Sequence, residues 1–431
     1  MTHSDNAGPA SGGGASGYDV AIIGSGPTGC YTAIALRKLV PTARVAMFDG
    51  RPTPYGLTRY GIAADHQGMK GVSRQFDRLF ASPDVHFVGN TLVGRDISLD
   101  QLNGTFDMVV VATGLGHDRR IDVPHHPDAH VFGAGEVLRY LNADPDSRLR
   151  GLDPAGLALG REVAVVGAGN VAMDLVRLLC KTEVGLAGSD IDDDARRALA
   201  VDQIERIDLL ARGTQPRWDP TMFTELCNLP DVAVSIDGEP VGQGTASGTH
   251  PAVAVAVRLN TTPVEIDHKR GRTIVRTRRT NGSAEESSYA VDSVVTAIGF
   301  QTASADVNPV VRDLSSQDIW VGGCHNGALG NLAENRVHAK KAAEQVAEHL
   351  TNAGPGGGGG WKAIRDQLPH ATDFTDWTAI DKAEVLRARE SRLRTKFTTR
   401  EEMATIVAEH RAGRSATDPA QGSTTTPPRE T

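Results

Sequence analysis

The sequence has no run of 18 or more apolar residues, the length expected of a membrane-spanning helix, so we expect no membrane partner. Cysteine is also scarce, and no CxxC pair occurs among the four copies, Cys30, Cys180, Cys227 and Cys324. This spacing excludes a local dithiol redox motif and argues against a cysteine-held iron–sulfur cluster. We therefore predict no metal site, and any redox chemistry has to come from organic cofactors.

Positive charge is not in excess either, because 45 Lys and Arg residues face 53 Asp and Glu residues. The net charge of -8 argues against nucleic acid as a partner. Residues 1–17 are rich in Ser, Gly and Ala and lack the basic and apolar regions of a secretory signal. We expect them to form a disordered tail and the protein to be cytoplasmic.

The first motif is a β-branched strand, a glycine turn, a helical pattern and a second strand. The turn reads Gly24-Ser-Gly26-Pro27-Thr-Gly29, and the second strand ends at Asp49. Gly24 permits the tight turn, Gly26 lets a pyrophosphate approach the backbone, and Gly29 packs the helix on the strand. A carboxylate about twenty residues further on binds ribose hydroxyls. The pattern predicts a dinucleotide site.

A second motif of the same kind follows a strand at Glu162. Its turn reads Gly167-Ala-Gly169-Asn170-Val171-Ala, and its next strand ends at Ala211-Arg212 instead of an acid. An arginine there suits the 2′-phosphate of NADP, whereas NAD favours a carboxylate. An ordinary surface arginine is the alternative. Two such sites in one chain indicate a resident flavin and a nicotinamide that delivers hydride to it.

We therefore predict an α/β protein with two Rossmann-like dinucleotide-binding domains, the NADPH domain being inserted in a discontinuous FAD domain. The acidic run at residues 190–194 is interpreted as a solvated insertion. The expected divisions are a tail at 1–17, the FAD domain at 18–117 and 292–350, the NADPH domain at 118–291, a flexible glycine-rich linker at 351–360, a helical segment at 361–413 and a disordered tail at 414–431.

The segment Pro52–His66 matches the pattern P-x-P-x-G-L-x-R-x-G-x-A-x-D-H almost throughout. Together with the first glycine turn it resembles the adrenodoxin reductase family, the NADPH:ferredoxin reductases of mitochondrial and mycobacterial type. Residues 167–174 match the NADPH fingerprint of that family, and the resemblance runs from about residue 18 to residue 407. It implies hydride transfer from NADPH to FAD, then single electrons passed to a ferredoxin-type iron–sulfur acceptor of the kind that serves haem monooxygenases.

The resemblance also implies roles for single residues. Leu57 is expected near the isoalloxazine ring, Gly330 at the flavin through its backbone, and His66 in a proton network beside the flavin. Glu225 is the expected acidic partner, although the stricter register gives Asn228. With His66 and Glu225 as catalytic candidates, the expected cofactor-binding set is Gly24, Gly26, Pro27, Gly29, Asp49, Gly56, Leu57, Arg59, Gly114, Gly167, Gly169, Asn170, Val171, Arg212, Gly322, Gly323 and Gly330.

The sequence departs from the family in several places. Gly322-Gly323 stands where the family has Gly-Trp, and Ala333-Glu334-Asn335 replaces Gly-Thr-Asn. Paired arginines for the 2′-phosphate are reduced to Arg212. Two alternatives therefore stay open: an FAD- and NAD(P)H-dependent enzyme that acts directly on a small molecule in the space at Gly323, and a flavin-binding interaction protein without catalysis.

Two basic runs are candidate docking faces for an acidic electron carrier. One is Lys269–Arg279 on an expected hairpin, and the other comprises Arg387, Arg389, Arg392, Arg394 and Lys396. Concentrated positive charge on an acidic protein steers negatively charged partners. Solvated hairpin and helix faces are the alternative interpretation.

Overall fold

The computed structural model describes residues 17–153, 156–242, 253–301, 318–326 and 332–417. Of the two predicted tails, only residue 17 and residues 414–417 are described. The last helix continues to Thr417, whereas the predicted helical segment stops at residue 413. Within the described residues, no helix is both long and apolar enough to cross a membrane.

The described strands are β1 (Asp19–Ile23), β2 (Arg44–Phe48), β3 (Val85–Val88), β4 (Met108–Val111), β5 (His117–Asp118), β6 (Val131–Gly133), β7 (Glu162–Val166), β8 (Arg206–Leu210), β9 (Val232–Ile236), β10 (Glu239–Val241), β11 (Val253–Arg258), β12 (Thr261–Lys269), β13 (Arg272–Arg279), β14 (Glu286–Val291), β15 (Ser293–Thr296), β16 (Phe300–Gln301) and β17 (Ile319–Trp320). The described α-helices are α1 (Pro27–Leu39), α2 (Leu57–Tyr60), α3 (Gln67–Lys70), α4 (Ser73–Phe80), α5 (Leu99–Thr105), α6 (Ala134–Leu141), α7 (Asn170–Cys180), α8 (Asp193–Ala198), α9 (Pro220–Cys227), α10 (Gly323–Asn326), α11 (Leu332–Ala353), α12 (Gly360–Ile364), α13 (Phe374–Leu386) and α14 (Arg400–Thr417).

The first sheet is parallel throughout, in the order β17-β4-β1-β2-β3. Its central strand β1 is buried along its whole length, since α1 and α11 cover one face and α5 with α12 cover the other. Strands covered on both faces need continuous apolar sequence, which explains the run Val20–Ile23. This sheet and its helices form the first domain.

The second sheet has the order β10-β9-β11-β8-β7-β15-β6 and is parallel except for the pair β9 and β10. The glycine turn at residues 167–172 follows β7, and α7 begins at Asn170 as the sequence predicts. This sheet forms the second domain together with a third sheet, which is antiparallel and consists of β12, β13 and β14.

The boundary predicted at residue 292 is wrong. Strand β15 pairs with β7 on one side and β6 on the other, so it belongs to the second domain. The chain crosses between the domains at β5 and β16, which pair with each other as a short antiparallel ribbon. The sequence could not show this, because the apolar residues of β15 suit either sheet equally well.

The glycine-rich run after α11 is packed against the first domain, which corrects the prediction of a flexible linker. The Gly356 amide donates to Asp107 Oδ1 at 2.5 Å. A Cβ at Gly358 would lie 2.5 Å from the Thr105 carbonyl oxygen, and one at Gly360 would lie 2.3 Å from the Asp19 carboxyl carbon. Glycine is needed at these two positions because there is no room for a side chain.

The C-terminal segment is helical, as predicted, and contributes to the core of the first domain. Trp377 and Ile380 of α13 and Met403 and Val407 of α14 are buried with the residues of α1 and α11. Burying each large apolar side chain contributes about 1.5–3 kcal/mol. The segment is therefore part of the first domain.

The acidic run at residues 190–194 is not a solvated insertion. Asp190 is buried, and its two carboxylate oxygens accept from Lys70 at 2.7 Å and Lys396 at 2.9 Å. These opposite charges hold the pKa of Asp190 far below its ordinary value against the effect of burial. Burial lowers the pKa of both lysines. Lys70 belongs to the first domain and Lys396 follows α13, so Asp190 ties three parts of the chain together.

The second basic run binds this acidic run instead of forming an exposed patch. Arg392 is buried and donates to Asp193 at 2.8 Å and to Glu183. Arg389 lies 3.2 Å from Asp194. These contacts weaken the interpretation of this run as a docking face, because Arg392 and Lys396 are buried, whereas Arg387 and Arg389 are exposed.

The first basic run lies on a hairpin, as predicted, formed by β12 and β13. Its cations face carboxylates of the same domain. Arg276 lies 3.0 Å from Glu265, Lys269 lies 2.6 Å from Asp267, and Arg272 pairs with Glu162. The face is balanced in charge, which weakens its case as a docking site for an acidic protein.

We expect Asp190→Asn to destabilise the protein by about 3–5 kcal/mol, because it leaves two buried ammonium groups without their counter-charge. Urea unfolding followed by tryptophan fluorescence measures the change. Asp122→Asn, at an exposed position, is the matched control and should change the midpoint little. Equal midpoints for both variants would contradict the role of Asp190 in joining the domains.

Candidate cofactor and active site

The first glycine turn lies at the carboxyl edge of the first sheet. Gly24 has φ +110, and a Cβ there would lie 2.4 Å from the Ala112 carbonyl oxygen. A Cβ at Gly29 would lie 2.1 Å from the Gly24 oxygen. At Gly26 a Cβ would meet nothing within 4 Å. Gly24 and Gly29 are required by the packing of the protein itself, whereas the open space at Gly26 fits a pyrophosphate at the N-terminus of α1.

The segment Pro52–His66 folds over this turn. The Tyr55 amide donates to the Ser25 carbonyl oxygen at 3.0 Å, and a Cβ at Gly56 would lie 3.2 Å from the Gly26 Cα. Leu57 follows with 42% of its surface exposed. The structure therefore places an exposed apolar side chain beside the first glycine turn.

Asp49 follows β2, as predicted. Its Oδ2 accepts from the Ser25 amide at 3.0 Å and from the Ser25 hydroxyl at 2.6 Å. Its Oδ1 accepts from the Arg51 amide at 3.0 Å. These bonds fix the carboxylate beside the glycine turn, in the position that suits adenosine ribose hydroxyls.

Other predicted flavin residues lie where β4 and β17 end. Gly114 has φ +69 with open space around it, and Gly322 has φ +76 with Thr28 Oγ1 2.6 Å from the position of a Cβ. Gly323 begins α10. Gly330 lies outside the described residues. Cys324 is buried at the same edge, where burial raises the pKa of its thiol.

The second glycine turn repeats the arrangement in the second domain. Gly167 has φ +120, and a Cβ there would lie 2.3 Å from the Ala297 carbonyl oxygen, whereas Gly169 has open space. Asn170 Oδ1 accepts from the Asp219 amide at 2.7 Å. Arg212 is exposed directly after β8. The space at Gly169 and the exposed arginine fit the phosphates of a nicotinamide dinucleotide.

Arg217, which no sequence motif marks, also lies at the second turn. Its amide donates to the Ala168 carbonyl oxygen at 2.8 Å, and its side chain is exposed. It follows the predicted strand end by several residues in a loop, so no periodic signal marks it.

His66 lies where the two domains meet. Its Nδ1 is 3.2 Å from Asp174 Oδ1, and its Nε2 is 3.8 Å from Glu225 Oε2. Asn228, which occupies the expected position of the acidic residue in the stricter register, is exposed at the end of α9. The structure therefore brings the two catalytic candidates, His66 and Glu225, close together. It adds Asp174, four residues after Asn170 on the same helix.

The carboxylates beside His66 have opposite pKa shifts. Burial raises the pKa of Asp174, despite the attraction of His66 and Arg177. Burial would also raise the pKa of Glu225, but a hydrogen bond from Lys181 and the charge of Arg177 outweigh it and lower that pKa. Two carboxylates with diverging proton affinities beside a histidine form a group that can hold and pass a proton.

The guanidinium of Arg59 is bound by other side chains of the protein. Its Nη2 donates to Glu384 Oε1 at 2.5 Å, and its guanidinium lies 4.8 Å from the ring centroid of Trp377. The side chain is buried against the C-terminal helices. These contacts correct the assignment of Arg59 to the cofactor and give it a structural role.

Comparison with known proteins agrees with this geometry. The model of the pyridine nucleotide-disulphide oxidoreductase family matches residues 18–305. The chain belongs to this family. Although the description of these oxidoreductases refers to disulphides, all four cysteines here are buried and unpaired.

Among relatives in the oxidoreductase family, cindoxin reductase of Citrobacter braakii is 34% identical over 412 residues, covering 88% of each chain. The probable mitochondrial NADPH:adrenodoxin oxidoreductase of Schizosaccharomyces pombe is 36% identical over 193 residues, which are 45% of this chain and 40% of that relative. The structure of Mycobacterium tuberculosis FprA in complex with NADPH matches with TM-score 0.79 at 25% identity, covering 91% of this chain and 100% of that one. The predicted fold class and family resemblance are confirmed.

Alanine in place of Gly24 or Gly167 should show which glycine turn binds the flavin and which binds the nicotinamide dinucleotide of this oxidoreductase. We expect Gly24→Ala to be purified with little or no bound flavin, because its Cβ would overlap the Ala112 carbonyl. Gly167→Ala should keep the flavin and lose nicotinamide binding. The ratio of visible to ultraviolet absorbance reports the flavin, and titration with NADP+ reports the second site.

Gly116→Ala is the matched control, since a Cβ at Gly116 meets nothing within 4 Å. It should bind both cofactors normally. A fully flavinated Gly24→Ala protein would show that the first turn is not the flavin site.

Proposed function

We propose that this protein is an NADPH-dependent flavoprotein reductase that takes hydride from NADPH onto FAD and passes electrons singly to a ferredoxin-type iron–sulfur protein. The observation that carries the proposal is the pair of glycine turns, one on each parallel sheet, with His66 of the first domain in contact with Asp174 of the helix that starts at the second turn. Its similarity to cindoxin reductase and to the FprA–NADPH complex supports it.

The first domain would hold FAD. Gly24 and Gly26 precede α1, which begins at Pro27 and whose N-terminus would attract the pyrophosphate, and Asp49 would bind the adenosine ribose. Gly56 and Leu57 cover the turn, while Gly114, Gly322 and Gly323 line the edge where β4 and β17 end. When bound, FAD accepts hydride from the nicotinamide and releases the electrons one at a time, which no side chain can do.

The second domain would hold NADPH. Gly169 precedes α7, and the amides of Gly169, Asn170 and Val171 would bind the pyrophosphate. Arg212 would pair with the 2′-phosphate through charge-assisted hydrogen bonds. These residues would thus hold the dinucleotide, whose nicotinamide supplies the hydride.

His66 and Glu225 would handle protons at that boundary. His66 Nδ1 lies 3.2 Å from Asp174 Oδ1 without hydrogen-bond geometry, and its Nε2 side faces Glu225 across 3.8 Å. Glu225, with 37% of its side chain exposed, connects the group to water. The residues thus exchange a proton with solvent while water is kept from the buried side of His66.

We also propose that the protein works in a reducing compartment such as the cytoplasm and that its iron–sulfur partner serves a haem monooxygenase. The four buried, unpaired cysteines support the first point. The internal ion pairs of both basic runs weaken the case for either run as the docking site.

Anaerobic stopped-flow mixing tests the proposal. NADPH should bleach the flavin rapidly, and oxidised ferredoxin should then restore the colour much faster than oxygen does. Rapid bleaching with ferredoxin inert would favour direct chemistry on a small molecule at Gly323. No bleaching by NADPH or NADH would overturn the two-cofactor mechanism.

Arg212→Met should raise the KM for NADPH roughly tenfold or more, since a charge-assisted hydrogen bond contributes about 1.5–3 kcal/mol. The KM for NADH should change little, because NADH lacks the 2′-phosphate. Steady-state kinetics with both nucleotides gives the ratio. Arg278→Met, at a site 58% exposed on the hairpin, is the matched control. An unchanged preference in Arg212→Met would assign the phosphate contact to another residue.

A further inference from the structure

One arginine contacts all three carboxylates around His66. Arg177 of α7 is fully buried, and its Nη1 donates to Glu225 at 2.9 Å and to Asp65. Its Nη2 donates to Asp65 at 2.9 Å and lies 3.3 Å from Asp174. Asp65 immediately precedes His66 in the chain. A single guanidinium therefore fixes both partners of His66 and the residue next to it, across the boundary between the domains.

Lys181, one helical turn after Arg177, completes the group. Its Nζ donates to Glu225 at 2.6 Å and to Asp65 at 2.5 Å. The hydrogen bonds and charges of Arg177 and Lys181 outweigh burial and lower the pKa of Asp65 to about 2. Three carboxylates and two permanent cations leave one negative charge, which a protonated His66 would balance.

The cost of burying Arg177 is not fully offset by hydrogen bonds. Its Nε is buried without a partner among the described residues. A buried unsatisfied donor costs about 1–3 kcal/mol. The rigid fork of the guanidinium nevertheless reaches carboxylates on α7, on α9 and in the first domain, a geometry that a lysine at this position cannot reproduce.

We propose that Arg177 is a positioning residue for hydride transfer, which sets the spacing of Asp174 and Glu225 about His66 and holds the NADPH-binding helix against the segment Asp65–His66. The inference rests on the proposed function. Arg177 lies on α7, the helix that begins at the second glycine turn, and contacts the proton-handling group directly, so it would couple the position of this helix to the charge on that group.

The pH dependence of flavin reduction is the decisive readout, because a merely structural arginine would not move it. The charged groups that face the cluster are Asp65, Asp174, Glu225, Lys181 and His66 itself. Arg177→Met removes one positive charge, so the cluster holds its proton more tightly. The profile of single-turnover reduction by NADPH should shift to higher pH by about one unit. The rate at the wild-type optimum should fall roughly tenfold to a hundredfold.

Two further variants separate charge from geometry. Arg177→Lys keeps the charge and loses the fork, so the rate should fall while the pH profile stays within a few tenths of a unit of wild type. Lys181→Met should shift the profile in the same direction as Arg177→Met, because it also removes a positive charge that faces Asp65 and Glu225. These variants keep the inference testable if Arg177→Met does not fold.

Arg139→Met is the matched control. Arg139 lies on α6 of the same domain, is buried and pairs with Glu136 at 2.6 Å. It should lower the melting temperature as Arg177→Met does and leave the pH profile and the Kd for NADP+ unchanged. The Kd, from titration of the flavin spectrum with NADP+, should rise at least threefold in Arg177→Met only.

The outcomes distinguish this inference from the proposed function. A wild-type flavin that NADPH does not reduce would overturn the proposed function. A wild-type enzyme that is reduced, together with pH profiles of Arg177→Met and Lys181→Met equal to its own, would overturn the role of Arg177 alone.

Discussion

Asp190 lies between two buried lysines, and the whole arrangement of domains depends on that contact. Lys70 comes from the first domain, Asp190 from the second, and Lys396 from the loop after α13. Removing three charges from water is favourable only when they meet at short distance with all hydrogen bonds made. The contact therefore forms in one relative placement of the domains, and it excludes alternatives that hydrophobic packing alone would tolerate.

The same placement creates the proton-handling group. His66 and Asp65 come from the first domain, whereas Arg177 and Glu225 come from the second. The described ion pairs of Asp65 and His66 all cross to the second domain, where Arg177, Lys181, Asp174 and Glu225 lie. A small rotation between the domains would separate His66 from Glu225 and leave buried charges unpaired. The same contacts therefore set the geometry of the proton-handling group and stabilise the interface between the domains.

Much of this could be predicted from the sequence, because the decisive signals are local. Each glycine turn, with its strand before and its helix after, is contained within about 30 residues. The remainder depends on distant partners. Residues 190–194 and 389–396 each resemble a solvated charged surface, and only the folded chain shows that each neutralises the other. The glycine run before Gly360 has the same composition whether it is flexible or has no room for side chains.

The loop of residues 387–399 has a consequence for how the protein is made. A ribosome would have released both sheets before Arg392 and Lys396 emerge. Until then Asp190 has only one of its two lysine partners, and Asp193 lacks Arg389 and Arg392. A nascent chain can thus form both nucleotide-binding halves early, while the final alignment of those halves waits for the late segment, so truncated products would be the ones most readily recognised by proteases.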